Sequence, residues 1–401
     1  MSENHFTDAT WYLNNSVYDT MKAVYNSAIQ YDMLEKHYVM LKEEGDRCGH
    51  DSRMVVDEAS KKIYVVHLVN TEDISGDSPK YDNNTYVRLN ILSYDEENIT
   101  KEASVILAKR GDSIDDTTIN SGCGLPNLVM RNNRLYCVFE YFEDPTTAAA
   151  GVCCYDLSDQ TMWRNKCRLL HDGTIHDLNS PNLAYYVGGV AVSKGIGINA
   201  DITYNPDDGH YYACACQWRS EVLKKGVILR TDDFVTWEYV CIPPITLPCN
   251  AEFEGSLAYF DGNYYFALRQ NRPTAVGILA KFDSEWKLIE ECFIPNCGSR
   301  STFYVSRNGK GLYLINNAAD RVNADIVAVD TETLTNSKVT SQISKICNYT
   351  SAYWLKESNN AWLTFVCGTT SPFQGVKVGA ITTCRYGTEE VMSRFLKAFS
   401  D

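Results

Sequence analysis

Three arginines stand apart in an acidic chain, and together their side chains could bind an anion. The chain has 37 Lys and Arg against 51 Asp and Glu, a formal net charge of −14. The three arginines are Arg53, Arg269 and Arg321. Converging guanidinium groups hold a carboxylate through charge-assisted, partly bidentate hydrogen bonds, each worth roughly 1.5–3 kcal/mol. If the fold gathers these residues, they would form an anion site against the net field of the protein.

Each candidate also has a purely structural interpretation. Arg53 or Arg321 could pair with acidic loops on the rim, and Arg269 could form an inter-strand ion pair with Glu254. Tyr349, a further candidate, is one of 26 tyrosines, most of which must pack between strands. Each residue alone is explained at least as well by structure as by function. Only their combined order along the chain favours a functional site.

The elements that must position these residues are strands that repeat. From residue 50 onward an apolar strand, a tight polar turn and an aromatic-rich strand recur at roughly 50 to 75 residues, each copy followed by another strand pair. The aromatic residues that follow the turns are Tyr64, Tyr136, Tyr211, Tyr264, Tyr313 and Trp362. Six copies of four strands predict an all-β fold, a six-bladed β-propeller over residues 49–401.

The N-terminal part has a different pattern. Apolar residues between 16 and 44 keep a spacing of three or four, which predicts a helix that stops at Gly45. Residues 1–48 are therefore predicted as a helical extension. Packing against the propeller is the favoured role. Capping the propeller, covering its cup or pairing with a second chain to form a homo-oligomer remains open.

Propeller geometry places function where the inner strands begin, because their ends and the loops between blades form a cup. The residues just before each first strand are Arg53, Asn127, Asp201, Glu254, Ser301 and Tyr349. Arg269 ends the second strand of the fourth copy, and Arg321 follows that of the fifth.

This arrangement resembles the sialidase (neuraminidase) superfamily of six-bladed propellers. That family has an arginine entering the first blade, a glutamate entering a middle blade and an arginine ending its second strand. A third arginine follows the next blade, and a tyrosine enters the last one. Arg230–Trp237 keeps the Asp, Thr and Trp of the family's Asp-box without its Ser and Gly, and Arg53-Met54-Val55 replaces an Arg-Ile-Pro run. The matching positions, in the same order, are Arg53, Glu254, Arg269, Arg321 and Tyr349.

The resemblance implies a retaining glycoside hydrolase that removes a terminal acidic sugar, sialic acid or a related one. Tyr349 would be the nucleophile, since a carboxylate would be repelled by the sugar's own carboxylate. Glu254 would take the phenol proton, because an unperturbed pKa of about 10 leaves tyrosine a weak nucleophile. Asp77 or Asp73 would protonate the leaving oxygen, and the three arginines would bind the substrate. No cofactor and no metal is expected.

Two other function classes stay open. A polysaccharide lyase acting on uronic acids would need a histidine in the cup, with His171, His176 and His210 as candidates. A propeller that has lost the catalytic set would bind glycans without turnover, because the fold does not fix the function.

Composition limits partners and location. The acidic charge makes nucleic acid and membrane surfaces poor partners, so a carbohydrate substrate is expected instead. The polar N-terminus lacks a secretory signal, which favours the cytoplasm, or secretion if a signal was removed. Fifteen cysteines, an odd number scattered through apolar runs such as those at Cys137, Cys153 and Cys214, predict reduced, buried thiols.

Overall fold

The described part of the chain consists of β-strands and the turns that join them. A computed structural model describes residues 39–41, 43–46, 48–71, 85–95, 99–144, 147–178, 197–198, 201–215, 226–248, 251–270, 277–294, 297, 300–305, 311–317, 324–334, 336–340, 347–354, 361–368 and 379–386. Within these ranges no helix is long and apolar enough to cross a membrane.

The chain up to residue 241 supplies seventeen of the described strands. They are β1 (Val39–Met40), β2 (Cys48–Asp57), β3 (Lys62–Asn70), β4 (Thr85–Tyr94), β5 (Ile99–Ala108), β6 (Ser113–Ile114), β7 (Thr117–Thr118), β8 (Cys123–Arg131), β9 (Arg134–Asp144), β10 (Thr147–Asp156), β11 (Met162–Lys166), β12 (Arg168–His171), β13 (Thr174–Asp177), β14 (Thr203–Tyr204), β15 (Tyr211–Ala215), β16 (Val227–Thr231) and β17 (Thr236–Cys241).

The chain from residue 251 onward continues the pattern. Its described strands are β18 (Ala251–Phe260), β19 (Asn263–Gln270), β20 (Gly277–Phe282), β21 (Leu288–Ile294), β22 (Thr302–Val305), β23 (Leu312–Asn317), β24 (Ala324–Val329), β25 (Asn336–Thr340), β26 (Cys347–Trp354), β27 (Ala361–Gly368) and β28 (Gly379–Tyr386).

The all-β propeller is confirmed, but its blade count needs a correction. The described strands form five four-stranded blades rather than six: β2 to β5, β8 to β11, β18 to β21, β22 to β25, and β26 to β28 with β1. The remaining large sheet has six strands, in the order β13-β12-β17-β16-β15-β14. It is enlarged because β12 pairs in parallel with β17, which buries Leu169 and Trp237 in one apolar cluster.

Turn chemistry explains why the strands pair as hairpins. The two-residue turns Asn132-Asn133 and Asp261-Gly262 have positive φ at both positions. Such turns match the right-handed twist of the flanking strands, and Asn, Asp and Gly tolerate them best. The first two strands of these two blades are therefore joined tightly, as the sequence predicted.

Aspartates organise a second set of turns, between the third and fourth strands of three sheets. Asp233 Oδ1 accepts hydrogen bonds from the backbone N–H groups of Val235 and Thr236, at 2.9 and 2.7 Å. Asp283 and Asp330 accept backbone N–H bonds in the same way in the next two blades. The sequence singled out only the first of these turns.

The sheets pack face to face around an axis, and the core lies between neighbouring blades. Strand β2 contacts β8 on one side and β26 on the other, β22 contacts β18 and β26, and β14 contacts β18. Val129 and Val138 of the second blade share an apolar cluster with Leu229 of the six-stranded sheet, which links the remaining pair. The inner strands are thus β2, β8, β14, β18, β22 and β26.

The predicted N-terminal helix is wrong where the structure describes it. Val39 and Met40 form strand β1, which pairs antiparallel with β28 at Thr383 and Thr382. An open sheet edge offers this segment main-chain hydrogen bonds that the local spacing of apolar residues could not reveal. Residues 1–38 lie outside the described ranges, and the boundary between residues 48 and 49 stays a prediction.

The segment between β1 and β2 is fastened to the first blade by charged side chains. Asp46 pairs with both terminal nitrogens of Arg88, one of them at 3.0 Å from Oδ1, and accepts a hydrogen bond from Tyr86 Oη at 3.0 Å. Glu43 pairs with Lys101 Nζ at 2.8 Å. We call these five residues the latch, since they hold the strand that completes the last blade.

Candidate functional site

Four inner strands are irregular at the same place, close to where they begin. Each shifts register against its second strand there, so that extra residues of the inner strand face a single partner. Such β-bulges re-aim side chains and are frequent beside active sites. The shifts lie between His50 and Arg53, Gly124 and Asn127, Ala251 and Gly255, and Asn348 and Ser351.

Three sequence-predicted residues lie on or directly after these bulges. Glu254 and Tyr349 lie within the bulges of β18 and β26, and Arg53 is the first paired residue after the bulge of β2. Within the first bulge Asp51 has a φ of 50°, a conformation that costs energy for a residue other than glycine. The side chains of Glu254 and Tyr349 lie outside the described part of the structure.

Arg53 is buried at the axis rather than on the rim. Its Nε lies 2.6 Å from Asp201 Oδ1 and 3.3 Å from Asn127 Oδ1, to which it donates. Its Nη1 donates to the backbone carbonyl of Ser52 at 2.7 Å. The guanidinium is therefore held in a fixed orientation by groups from β2, from β8 and from the segment just before β14.

Asp201 connects Arg53 to the opposite side of the ring. Its Oδ2 accepts a hydrogen bond from Ser256 Oγ of β18 at 2.6 Å. Ser256 Oγ in turn accepts the backbone N–H of Phe303 at the start of β22, at 3.4 Å. The beginnings of the inner strands therefore lie together at one face, which we call the top face.

A second buried pair of charges lies at the top face. Arg300, just before β22, is 1% exposed, and Asp51 of β2 is 0% exposed; Arg300 Nη2 lies 4.0 Å from Asp51 Oδ1. Strand β26 lies between β22 and β2, so this pair crosses in front of the blade that carries Tyr349. We call Asp51, Arg53, Asn127, Asp201, Ser256 and Arg300 the axial cluster.

Sequence reasoning missed Asp51 and Arg300. Arg300 directly precedes Ser301, and Asp51 lies two residues before Arg53, so both adjoin positions that the sequence assigned to the cup. The sequence feature that could have identified Asp51 and Arg300 is their position next to these predicted cup residues. A pairing between residues so far apart in the chain leaves no local pattern.

Arg269 lies opposite the bulge that contains Glu254. Leu268 pairs with Gly255 and Gln270 with Ala251, so Arg269 is the residue that faces the bulged segment. Its side chain is buried. The two predicted partners thus occupy facing backbone positions, as either an ion pair or a shared site requires.

The other predicted site residues lie outside the described ranges. These are Asp73 and Asp77, the two candidates for the acid, and Arg321, the third predicted arginine. Their roles stay predictions.

A buried carboxylate adjoins the axial cluster behind Asn127. Asn127 Nδ2 donates to the carbonyl of Ile198 at 2.9 Å, and the preceding residue, Gly197, packs against the side chain of Glu140. A Cβ at Gly197 would overlap the Glu140 carboxylate, which is fully buried. Glycine is therefore the residue that lets this segment approach the second blade closely.

Of the three candidate histidines for the lyase alternative, two lie away from the inner strands, and the third lies at the far end of one. His171 belongs to β12 at the outer part of the six-stranded sheet, where its ring packs 5.1 Å from Tyr239. His176 is in the adjoining strand β13. His210 lies in the turn after β14 and pairs with Asp232 at 2.6 Å.

The described cysteines behave as the sequence predicted. No disulfide joins the cysteines whose side chains are described, and Cys137, Cys153 and Cys214 are buried. Burial disfavours the thiolate and raises the pKa of Cys153 and of Cys214 to about 12. Neither thiol is therefore activated as a nucleophile at neutral pH.

The chain matches no protein-family model and no curated protein sequence. Its fold is similar to that of solved sialidases. Trypanosoma rangeli sialidase in complex with the inhibitor DANA has a TM-score of 0.57 and 11% identity, over 93% of this chain and 62% of that one. The same enzyme in complex with 2,3-difluoro-KDN gives 0.59 and 10%, over 91% and 59%.

A mutant of the NanB sialidase from Streptococcus pneumoniae has a TM-score of 0.55 and 9% identity, over 89% of this chain and 71% of that one. The chain thus spans less than two thirds of the length of the trypanosomal sialidases. These likenesses show a sialidase-like propeller fold, of the kind that glycoside hydrolases use.

Proposed function

We propose that this chain is a retaining glycoside hydrolase that removes a terminal acidic sugar, sialic acid or a related one, from a glycan. The observation that carries the proposal is the coincidence of the bulges with the predicted residues. Arg53, Glu254 and Tyr349 occupy, in three different sheets, the irregular positions where inner strands begin. The sialidases with a similar fold support a glycosidase at this face.

The chemistry assigns each residue a role. Tyr349 attacks the anomeric carbon, Glu254 accepts the phenol proton, and Asp77 or Asp73 protonates the leaving oxygen. Water then releases the sugar with its original anomeric configuration. Arg53, Arg269 and Arg321 bind the sugar carboxylate.

The surroundings of Arg53 support a binding role. Asp201, Asn127 and the Ser52 carbonyl hold its guanidinium in place, so little side-chain entropy remains to be lost when a ligand binds. The fork geometry of arginine then allows a directed contact with a carboxylate.

The test is hydrolysis of 4-methylumbelliferyl α-sialoside by the wild type and three variants. We expect Tyr349→Phe to lower kcat by orders of magnitude, and Glu254→Gln by about 10²–10⁴-fold through loss of the base. Tyr353→Phe is the matched control: it lies in the same strand, and its hydroxyl donates to Glu58 at 3.0 Å, away from the bulge. Proton NMR of the first product then reports whether the configuration is retained.

A glycan-binding propeller without turnover is the second candidate, and one observation favours it. Arg53, which Asp201 holds at 2.6 Å, supports binding of a sugar carboxylate without itself supplying a nucleophile or an acid, as a binder without turnover requires. A folded wild type that binds 3′-sialyllactose by calorimetry but does not hydrolyse the sialoside would establish this second function and overturn the first.

A further inference from the structure

Five aromatic rings form a continuous strip on the face opposite the axial cluster, where the inner strands end. Successive ring centroids lie 6.3, 4.6, 4.7 and 4.9 Å apart. Each residue lies in or close to a turn of this face, along the seam between the second blade and the six-stranded sheet. We call these residues the aromatic strip: Trp163, Tyr136, Phe234, Tyr211 and Tyr204.

The two ends of the strip are open to solvent. Trp163 is 39% exposed and Tyr204 is 48% exposed, whereas Phe234 in the middle is fully buried. Packing between the sheets therefore accounts for the middle of the strip but not for its ends. A single exposed aromatic side chain is ordinary on a protein surface. Two exposed rings at the ends of one row of packed aromatic rings form an extended apolar surface on which a ligand could lie.

Hydrogen-bonding groups lie between the two exposed rings. Arg131 lies over the Tyr211 ring, 5.7 Å from its centroid, and its Nη1 donates to the carbonyl of Asp232. His210 Nδ1 lies 2.6 Å from Asp232 Oδ1. The strip thus combines flat apolar platforms with a guanidinium and a carboxylate whose positions are fixed by their neighbours.

The charge around the strip favours a neutral ligand. Asp207, Asp208, Asp232 and Asp233 are all exposed in the two turns that border Tyr204 and Phe234. These carboxylates add to the acidic net field and would repel a second acidic group. An acidic glycan therefore fits this face less well than an uncharged one.

We propose that the aromatic strip binds a neutral oligosaccharide. A pyranose ring presents a flat C–H face that packs on an aromatic ring, and equatorial hydroxyls that accept from a guanidinium or donate to a carboxylate. The two exposed rings, together with Arg131 over the Tyr211 ring and the neighbouring Asp232 carboxylate, offer this combination. The site is distinct from the proposed catalytic face and does not depend on turnover there.

The experiment measures binding of cellohexaose, maltohexaose, xylohexaose, mannohexaose and chitohexaose by isothermal titration calorimetry. The proteins are the wild type, Trp163→Ala, Tyr204→Ala and the double variant. The matched control is Ile175→Ala with Ile289→Ala, which removes exposed apolar side chains elsewhere on the surface. Circular dichroism confirms the fold of each variant, which is expected because every replaced side chain is solvent-exposed.

We expect at least one neutral hexasaccharide to bind the wild type and the control equally. Each single variant should weaken that binding several-fold, and the double variant should weaken it at least ten-fold. Absence of binding by every hexasaccharide, or binding that survives the double variant, would overturn the proposal. So would strip-dependent binding of hexalysine with no sugar bound, because that result would identify a surface for cationic peptides.

Discussion

The latch and the axial cluster both bury arginines with carboxylates, but they connect the chain in different ways. In the latch, Arg88 meets Asp46 through both terminal nitrogens, and Tyr86 donates to the same carboxylate. All of these groups belong to the first blade or to the segment leading into it. In the axial cluster, Arg53 and Arg300 find their partners in other sheets.

The geometry of the two regions differs as well. In the axial cluster Arg53 contacts Asp201 at 2.6 Å and Arg300 lies 4.0 Å from Asp51, whereas in the latch both terminal nitrogens of Arg88 pair with the one carboxylate of Asp46. A buried ion pair returns little net stability, since desolvation offsets most of the attraction. Contacts confined to one blade are suited to attaching the N-terminal segment to that blade. Charged side chains that converge from several bulged strands are suited to a ligand-binding site. We therefore expect the latch to contribute to stability, and the convergence of charges supports the proposal that the axial cluster binds a ligand.

Asp46→Ala should have the largest effect on stability. It leaves Arg88 buried without its bidentate partner, which typically costs about 3–5 kcal/mol. Urea unfolding followed by fluorescence measures the loss. Glu102→Ala is the control, because the Lys62–Glu102 pair is partly exposed and should change the unfolding free energy by less than about 1 kcal/mol. If Asp46→Ala and Glu102→Ala lower the unfolding free energy equally, the latch does not contribute more to stability than an exposed ion pair.

His67, behind the latch, should make stability depend on pH. Burial, reinforced by the charge of Arg88, lowers its pKa from 6.5 to about 4. The unfolded chain therefore binds the proton more readily between these values. Stability is complete above pH 6.5 and falls as the pH decreases towards 4, by about 3 kcal/mol for this group.

The pH dependence is measured as the difference in unfolding free energy between the wild type and His67→Gln. That difference should shrink as the pH falls from 6.5 to 4, because only the wild type loses stability through this group. In the neutral imidazole that burial favours, Nε2 accepts a hydrogen bond from Asn90 Nδ2 at 2.8 Å. If the unfolding free energies of the wild type and His67→Gln differ by a constant amount across this pH range, His67 does not titrate as described.

The Asp51–Arg300 pair should show coupling between its members. Either Asp51→Asn or Arg300→Met leaves one buried charge without its counterpart, whereas the double variant removes both. We expect the double variant to lose less stability than the two single losses combined, by about 1–2 kcal/mol. Strict additivity in urea unfolding would mean that the two side chains do not interact.

Glu43→Gln should have the smallest effect. Lys101 and Ser104, as hydrogen-bond donors, lower the pKa of Glu43 to about 2, so its contribution is present above pH 4.5 and is lost as the pH falls towards 2. The side chain is 39% exposed, and solvent screening keeps the contribution below about 1 kcal/mol. The Tm difference from the wild type should narrow below pH 4.5. A difference that widens there would reverse the assigned direction.

The sequence predicted the repeated elements because their causes are local. Asn132-Asn133 and Asp261-Gly262 specify tight turns by themselves, and the aromatic strands after them follow from composition. Arg53, Glu254 and Tyr349 were predicted just before inner strands, but the structure places each within its strand, because β2, β18 and β26 begin earlier, at Cys48, Ala251 and Cys347.

What the sequence did not predict depends on partners far along the chain. Strand β1 forms because β28 offers it an edge, and the six-stranded sheet arises from parallel pairing of β12 with β17. The bulges follow from register between two strands, and the Asp51–Arg300 pair from the closure of the ring. The spacing of neighbouring residues predicts none of these features.

The most direct test of a binding role for the axial cluster compares Arg53→Lys with Arg88→Lys, since both replace a buried, ion-paired arginine by lysine. Tm and the kinetics of 4-methylumbelliferyl α-sialoside hydrolysis are measured for each. We predict that Arg53→Lys raises KM at least ten-fold with a small change in Tm, because lysine cannot reproduce the guanidinium fork. Arg88→Lys should lower Tm and leave KM unchanged. Unchanged KM in Arg53→Lys, or a raised KM in Arg88→Lys, would contradict the assignment of binding to the axial cluster.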